Sequence, residues 1–322
     1  MINNMKGINK LINCIQKSIN FVTVLIIFGI LVANIIIMGY FTSSYELVSY
    51  KLNNIFFLII PLSILILILY FLCSKFNIRT KKILIFVLIF QSIFSVIWIN
   101  ISITIPVFDQ GNVSDIAKML LNNESNLYQN DYLVKSPHQI GIVAYLQLIY
   151  SIFGPIFIAV QYLNVVWILL ITIMLYKITN IIFENEKLNK LVILLSGLFI
   201  QFIFLSTFVY GDIIGLSLSL ASIYFLVKFT KKNKKYSVFV SSILIGFACL
   251  VRNNYYIFLI AEIIYLLIYA CKEKKLIYLV TIILIMTIGI LPSTITKIYY
   301  ENKYSLELNN GVPAVLYLIM GS

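Results

Sequence analysis

The stretches IFFLIIPLSILILILYFLC (Ile55–Cys73) and KILIFVLIFQSIFSVIWINISI (Lys82–Ile103) decide the fold class of this chain. Each is a nearly uninterrupted apolar run of about 20 residues, the length of an α-helix that crosses a hydrocarbon core of about 30 Å. Similar runs recur along the chain and predict about nine spans, near residues 19–39, 55–73, 83–105, 156–176, 191–208, 213–229, 237–252, 254–271 and 276–296. The sequence therefore predicts an all-α, polytopic transmembrane helical bundle.

The composition points to the same class of protein. Of the 322 residues, 61% are hydrophobic and 11% are charged, whereas soluble domains are about 45–50% apolar and about 25% charged. These proportions exclude a soluble enzyme, a disordered chain and a coiled coil. The net charge of +12 lies mainly in short loops between apolar blocks, where it sets topology. We therefore expect membrane lipids, and no nucleic acid, as partners.

The basic loops alternate along the chain, which predicts the orientation in the membrane. With a cytoplasmic amino terminus, about three quarters of the 24 Lys and Arg residues lie on the inner side, in agreement with the positive-inside rule. Most of the 12 acidic residues then fall on the outer side. We therefore expect a multi-pass protein of the cell membrane with an extracytoplasmic active site.

One apolar segment, HQIGIVAYLQLIYSIFG (His138–Gly154), is too short for this scheme. A full crossing would invert every later loop and place the basic run KFTKKNKK outside, against the charge rule. We interpret the segment as a helix that lies in the outer interface or re-enters the membrane partway.

The longest polar stretch runs from Pro106 to Ser136, and loops of this length are usually functional or disordered. Asn112 and Asp115 have the spacing of the N-cap and N3 residues of a capping box. Apolar residues then recur at helical spacing, which predicts an amphipathic helix on the membrane surface. These apolar residues are Val113, Ile116, Ala117 and Leu120.

Asp109 precedes that helix and directly follows the apolar stretch ISITIPVF. A carboxylate at the mouth of a membrane span is costly unless it is hydrogen-bonded or used. Its functional interpretation is a general base that accepts the proton of an acceptor hydroxyl. Its structural interpretation is a loop-entry residue bonded to nearby amides.

Three further polar clusters fall on the predicted outer side: SPHQIG from Ser136, YGDIIG from Tyr210 and VRNNYY from Val251. His138, the only histidine, suits either a structural hydrogen bond or proton transfer. Asp212 is either a helix N-cap or a site residue. Arg252 either reaches lipid headgroups or clamps a phosphate.

The predicted topology brings these clusters to one membrane face, where they can form one site. An aspartate, a histidine and an arginine beside a polar loop suit a lipid-phosphate substrate, whose tail needs the bilayer and whose head needs a cation. We expect residues 109, 138, 212 and 252 to share one cavity. Glu262, the one ionisable group deep in a span, is expected to face the bundle, and no chemistry is assigned to it.

The same clusters resemble the multi-span bacterial glycosyltransferases of the C-type (GT-C) superfamily, in the protein-mannosyltransferase-like branch, family 39. The matching pieces are VFDQGNVSDIAKMLL, SPHQIG before an apolar helix, FVYGDIIGLSLSLASIYFLVKF, LVRNNYYIFLIAEIIYLLIY and the tail NNGVPAVLYLIMGS. The resemblance begins near Phe108. It implies an added helix pair at 1–80 and a GT-C-like transmembrane module at 81–322. That module would contain an outer catalytic loop at 106–137 and the start of a second outer loop at 297–322.

Such enzymes transfer a sugar from a polyprenyl-phosphate carrier with inversion, after an acid of the first large outer loop activates the acceptor hydroxyl. The resemblance maps that acid onto Asp109. The substrate-binding residues that it implies are Gln110, His138, Gln139, Tyr210, Asp212 and Arg252. It also implies a polyprenyl-phosphate sugar donor and a cell-envelope acceptor as partners.

No cofactor is predicted. Some family members use a divalent metal, but Gln110 stands where a second acid often follows the catalytic one, and no metal-ligand cluster is visible. The four cysteines also stand singly, without metal-ligand spacing.

Two other interpretations stay open. A transporter or flippase of lipid-linked glycans would place ionisable residues and broken helices near the bilayer midplane, often in repeated halves, whereas this sequence shows Glu262 alone at depth and no repeat. Family members usually carry further spans and a soluble outer region, so an inactive truncated copy is the third interpretation.

Overall fold

The computed structural model describes residues 2–41, 48–52, 54–74, 78–123, 131–304, 308 and 311. The chain divides into two compact units, residues 1–77 and 78–322. Helices dominate both units, in agreement with the predicted all-α class.

The first unit holds two helices and a β-hairpin. Helix α1 (Ile2–Ile36) is followed by antiparallel strands β1 (Ile37–Phe41) and β2 (Val48–Leu52), and then by helix α2 (Ile55–Ser74). The sequence analysis continued the first span to residue 39 and predicted no strand. Hydropathy measures only apolar character. It does not reflect that Gly39 disfavours a helix and that the neighbouring aromatic residues favour a strand.

The second unit is built from helices alone in its described part. In chain order these are α3 (Thr80–Ser102), α4 (Phe108–Leu121), α5 (Asp131–Lys135), α6 (Ile140–Phe153), α7 (Phe157–Phe183), α8 (Glu186–Leu198), α9 (Gln201–Leu205), α10 (Asp212–Lys232), α11 (Tyr236–Val251), α12 (Tyr256–Glu273) and α13 (Leu276–Tyr304). Short 3-10 turns at Pro137–Gln139 and Asn253–Tyr255 lead into α6 and α12.

Six helical segments of the described chain are long and apolar enough to cross a membrane, so the predicted count of about nine is not confirmed. They are Cys14–Ile36, Thr80–Ser102, Phe157–Phe183, Asp212–Lys232, Asn253–Glu273 and Leu276–Tyr304. Two shorter apolar helices cover Ile60–Cys73 and Tyr236–Val251. The chain is therefore a multi-pass membrane protein.

Two predicted boundaries are wrong. The span predicted at 191–208 is divided into α8 and α9, because the backbone leaves the helical region at Phe199 (φ −76°, ψ 77°). Residues 297–304, predicted as the start of a second outer loop, are instead the end of α13, and most of the rest of that predicted loop lies outside the described residues.

Helix α6 covers the segment predicted to be interfacial or re-entrant. Its 14 residues make a helix about 21 Å long at 1.5 Å per residue, shorter than a hydrocarbon core of about 30 Å. Its buried residues, among them Val143 and Leu146, pack in one core cluster with Val113 and Ile116 of α4. Its position in the membrane stays a prediction.

The second unit has two chemically different ends. At one end, the Thr80 hydroxyl donates a hydrogen bond to the Glu186 carboxylate (3.3 Å). At the other end, Arg252 Nε lies 3.4 Å from Asp212 Oδ1. The first end carries most of the basic residues of the unit, namely Arg79, Lys81, Lys82, Lys187, Lys190, Lys231, Lys232, Lys234, Lys235, Lys272, Lys274 and Lys275. The predicted site residues occupy the opposite end.

Buried polar contacts join the helices between these ends. The Gln91 amide of α3 donates to the Ser196 carbonyl of α8 (3.0 Å) and accepts from the Thr172 hydroxyl of α7 (2.9 Å). In the other half of the unit, the Ser222 hydroxyl of α10 donates to Glu262 of α12 (2.6 Å). Glu262 is 3% exposed, as expected for an acid that faces the bundle.

Candidate active site

The helix that carries Asp109 begins earlier than the sequence pattern indicates. Helix α4 starts at Phe108, and the Gly111 amide already donates to the Val107 carbonyl (3.2 Å). Asn112 and Asp115 therefore lie inside the helix, and the predicted capping box is wrong. Asp115 instead forms an ion pair with Lys118 (2.9 Å).

The earlier start places Asp109 in the first turn of α4. There the helix dipole favours its negative charge, and the side chain remains exposed. The predicted apolar face of α4 is confirmed: Val113, Ile116, Ala117 and Leu120 are buried. This face packs within a protein core cluster that includes α6, so α4 is fixed by protein contacts.

Gln110 ties α4 to the segment before α10. Its side-chain oxygen accepts a hydrogen bond from the Val209 amide (2.9 Å). Val209 is the residue before Tyr210, so the bond fixes the position of Asp109 relative to that tyrosine. Gln110 thus supports the site through the backbone.

Tyr210 is the centre of the cluster. Its side chain is buried, and its hydroxyl accepts a hydrogen bond from Gln139 Nε2 (2.5 Å). Tyr132 of α5 lies beside this hydroxyl and interacts with it electrostatically. The Arg252 guanidinium lies over the Tyr210 ring, with Cζ 4.4 Å from the ring centroid, in a cation–π contact.

Tyr132 connects this centre to Asp109. Its side chain lies close enough to both Tyr210 and Asp109 for the two groups to act on it electrostatically. Burial is the main cause that raises the pKa of Tyr132 above its ordinary value, and these two neighbours add to the rise. The phenol therefore stays protonated at neutral pH and has a proton to share with the Asp109 carboxylate.

Arg252 and Asp212 form a partly buried ion pair. Arg252 directly follows α11 and has an extended backbone (φ −158°, ψ 118°). This conformation turns its side chain away from the helix and toward Asp212, the first residue of α10. Gly211 occupies the N-cap position, so the N-cap interpretation of Asp212 is wrong. Among the described residues, Asp212 Oδ2 is buried without a hydrogen-bond partner.

Gly211 permits the contact between α10 and α11. A Cβ atom at this position would lie 2.3 Å from the Val251 carbonyl oxygen, well inside van der Waals distance. A side chain here would push the start of α10 away from Arg252. The glycine in YGDIIG is therefore required by packing, which sequence reasoning did not identify.

His138 lies within electrostatic range of both Arg252 and Asp109. Burial, followed by the positive charge of Arg252, lowers the pKa of His138, and the carboxylate of Asp109 opposes this only in part. The imidazole is therefore neutral at pH 7. On another side, His138 lines a cavity of about 250 Å³ together with Ser293 and Lys297 of α13.

The structure thus brings together all the predicted site residues at one end of the second unit. Tyr210 contacts Gln139 and Arg252 directly, and it reaches Asp109 through Tyr132. Sequence reasoning missed Tyr132, Ser293 and Lys297. No three His, Cys, Asp or Glu side chains of the described residues group as metal ligands, and the absence of a cofactor stays a prediction.

Comparison with known proteins finds a similarity to one family over part of the chain. Searches of curated proteins and of solved structures found no match. Residues 138–293, a little under half of the chain, match the family described as dolichyl-phosphate-mannose-protein mannosyltransferase. The matched range contains His138, Gln139, Tyr210 and Arg252, whereas Asp109 lies before it. Over this range the chain is similar to that family of GT-C-type, mannosyltransferase-like membrane glycosyltransferases.

Proposed function

We propose that this protein transfers a sugar from a polyprenyl-phosphate donor to a cell-envelope acceptor at the outer face of the membrane, with inversion of the anomeric centre. The observation that carries the proposal is the cluster in which the Arg252 guanidinium lies over the Tyr210 ring, with Tyr132 within electrostatic range of both Tyr210 and Asp109. This proximity supports a role for Asp109 as the base and for Arg252 as the phosphate-binding cation. The cluster lies at the end of the bundle opposite the basic helix ends, and the positive-inside rule therefore supports an outer location.

Asp109 is the general base of the proposed reaction. Its exposed carboxylate accepts the proton of the acceptor hydroxyl as that oxygen bonds to the anomeric carbon. The bond between the anomeric carbon and the phosphate oxygen breaks, and the phosphate leaves with the electron pair. A single displacement of this kind inverts the anomeric centre. The Tyr132 hydroxyl orients the carboxylate.

Arg252 stabilises the departing phosphate. A guanidinium forms parallel, charge-assisted hydrogen bonds with phosphate oxygens, and the amino terminus of α10 adds a favourable dipole beside it. Stacking on Tyr210 and pairing with Asp212 hold the side chain in place before the donor arrives. Preorganised charge of this kind lowers the barrier for leaving-group departure.

The test is the substitution Asp109→Asn in the full chain, assayed with a labelled polyprenyl-phosphate sugar on isolated membranes. We expect transfer to be abolished while expression and membrane insertion are unchanged. The matched control is Asp115→Asn, since Asp115 is an exposed acid of the same helix whose partner is Lys118. Transfer by purified Asp109→Asn protein at the wild-type rate would refute the assignment.

A further inference from the structure

The cavity beside His138 is not used by the proposed mechanism. Its volume is about 250 Å³, and the turn before α6, the end of α11 and the outer part of α13 form its walls. Pro137, Ile140 and Leu250 give it apolar walls. Its polar groups are His138, Ser293 and Lys297.

The polar wall formed by α13 suits an anion. Lys297 follows Ser293 by four residues, so both side chains lie on one face of the helix. The Ser293 hydroxyl is buried without a hydrogen-bond partner among the described residues, and such a group is costly unless a ligand satisfies it. Lys297 has only a loose ion pair with Glu301, at 3.8 Å. A hydroxyl donor and an ammonium group therefore face one cavity.

The depth of Lys297 fits a lipid headgroup. Leu276 starts α13 beside the basic end of the second unit. The rise of 1.5 Å per residue puts Lys297 about 31 Å further along the helix axis, which is close to the thickness of a hydrocarbon core, about 30 Å. The cavity thus lies at the level of the opposite membrane surface, where lipid phosphates are found.

An apolar strip leads from the cavity toward the middle of α13. Ile290 and Met286 precede Ser293 by three and seven residues, so they share its helix face. Both side chains are exposed, at 46% and 44%. A ligand with a phosphate at Lys297 and a hydrocarbon chain along Ile290 and Met286 would satisfy the cation, the hydroxyl and the apolar surface together.

We infer that Lys297 and Ser293 bind the phosphate of a lipid carrier whose hydrocarbon tail lies along the Met286–Ile290 face of α13. The nature of the lipid, a polyprenyl-phosphate carrier, rests on the proposed function. His138, which lines this cavity, is also within electrostatic range of Arg252. The carrier phosphate at Lys297 therefore lies in the same region as the cation of the proposed donor site.

The test measures binding without sugar or acceptor. The full chain is placed in nanodiscs of phosphatidylcholine and titrated with a labelled long-chain polyprenyl phosphate. We expect Lys297→Gln to weaken the affinity about tenfold and Ser293→Ala about threefold, since a charge-assisted hydrogen bond is stronger than a neutral one. Lys297→Arg, which keeps the charge, retains binding within about threefold.

Lys303→Gln is the matched control. It removes a lysine from the same end of the same helix, but Lys303 contacts Tyr299 and Tyr304 and does not line the cavity. We expect its affinity for the probe to equal that of the wild type. An equal loss in Lys297→Gln and Lys303→Gln, or no loss in either, would overturn the assignment.

Competition identifies the source of the phosphate. We expect unlabelled polyprenyl phosphate to displace the probe, while polyprenol, phosphatidylglycerol and inorganic phosphate do so poorly. Displacement by phosphatidylglycerol or by inorganic phosphate at the same concentration would overturn the inference of a carrier site. Displacement by polyprenol would show that Lys297 is not the anchor.

This experiment and the test of the proposed function fail separately. If Asp109→Asn retained transfer while Lys297→Gln lost binding, the catalytic assignment would fall and the carrier site would stand. If Lys297→Gln bound the carrier normally while Asp109→Asn lost transfer, the reverse would hold.

Discussion

Replacement of Arg252 by alanine is the most informative single perturbation of the proposed donor site. A hydrogen bond to a charged group contributes about 1.5–3 kcal/mol, which corresponds to roughly 10- to 150-fold in Kd. Asp212 already balances part of the Arg252 charge at 3.4 Å, and the Arg252 side chain is 25% exposed. We therefore expect the lower part of that range for Arg252→Ala, a loss of donor affinity of about 10- to 30-fold.

The assay separates binding from turnover. Donor affinity is measured by titration of the purified chain in nanodiscs, and kcat by single-turnover transfer at saturating donor. We expect kcat to fall less than the affinity, because a contact made equally in ground and transition states changes mainly binding. Arg252→Lys keeps a charge but loses the planar fork, so its affinity should lie between those of the wild type and Arg252→Ala.

Arg79→Ala is the control for this prediction. Arg79 and Arg252 are the two arginines of the chain, and Arg79 is an exposed residue at the N-cap of α3, at the basic end of the unit. Its loss should leave the donor affinity unchanged. If Arg252→Ala kept wild-type affinity and lost only kcat, the phosphate-binding role would be wrong and Arg252 would act on the chemical step or on local structure.

Two further predictions concern packing and pH. Gly211→Ala would place a methyl group against the Val251 carbonyl, and we expect it to lower the free energy of unfolding in detergent by about 1–3 kcal/mol. Gly29→Ala, where nothing lies within 4 Å of the added atom, should not lower it, because alanine is favoured over glycine inside a helix. An equal loss in both variants would contradict the packing argument. The pKa of His138 is lower in the folded chain than in the unfolded chain, so the unfolded chain binds the proton more readily. The free energy of unfolding should therefore be fully present above the ordinary pKa range of histidine and fall as the pH drops through that range. His138→Gln should reduce the difference in melting temperature between pH 7.5 and pH 5, and an unchanged difference would show that other groups cause it.

The sequence predicted most of the fold because its signals are local. Continuous apolar runs gave the helices, and the spacing of Val113, Ile116 and Leu120 gave the buried face of α4. The errors also have local causes. The division between α8 and α9 is a change of backbone direction at Phe199 within an apolar run, and hydropathy does not distinguish such a break from a continuous span.

The candidate site was predicted in part. Asp109, His138 and Arg252 stand out because ionisable residues are rare in this chain, of which 11% is charged. Tyr132 does not stand out, since it is one of 22 tyrosines, and only tertiary structure places its hydroxyl beside Asp109. Lys297 was assigned to a loop, where a lysine is unremarkable. The continuation of α13 places it on a cavity wall.

The contacts at the site also constrain how the proposed base and the donor cation can move. Gln110, the neighbour of Asp109, is bonded to the Val209 amide, and the next residue, Tyr210, stacks on Arg252. A shift of α4 away from this segment would therefore break the bond between Gln110 and Val209. Because general-base catalysis needs the base within about 3 Å of the proton that it removes, this bond predicts a positional role for Gln110 in the proposed reaction.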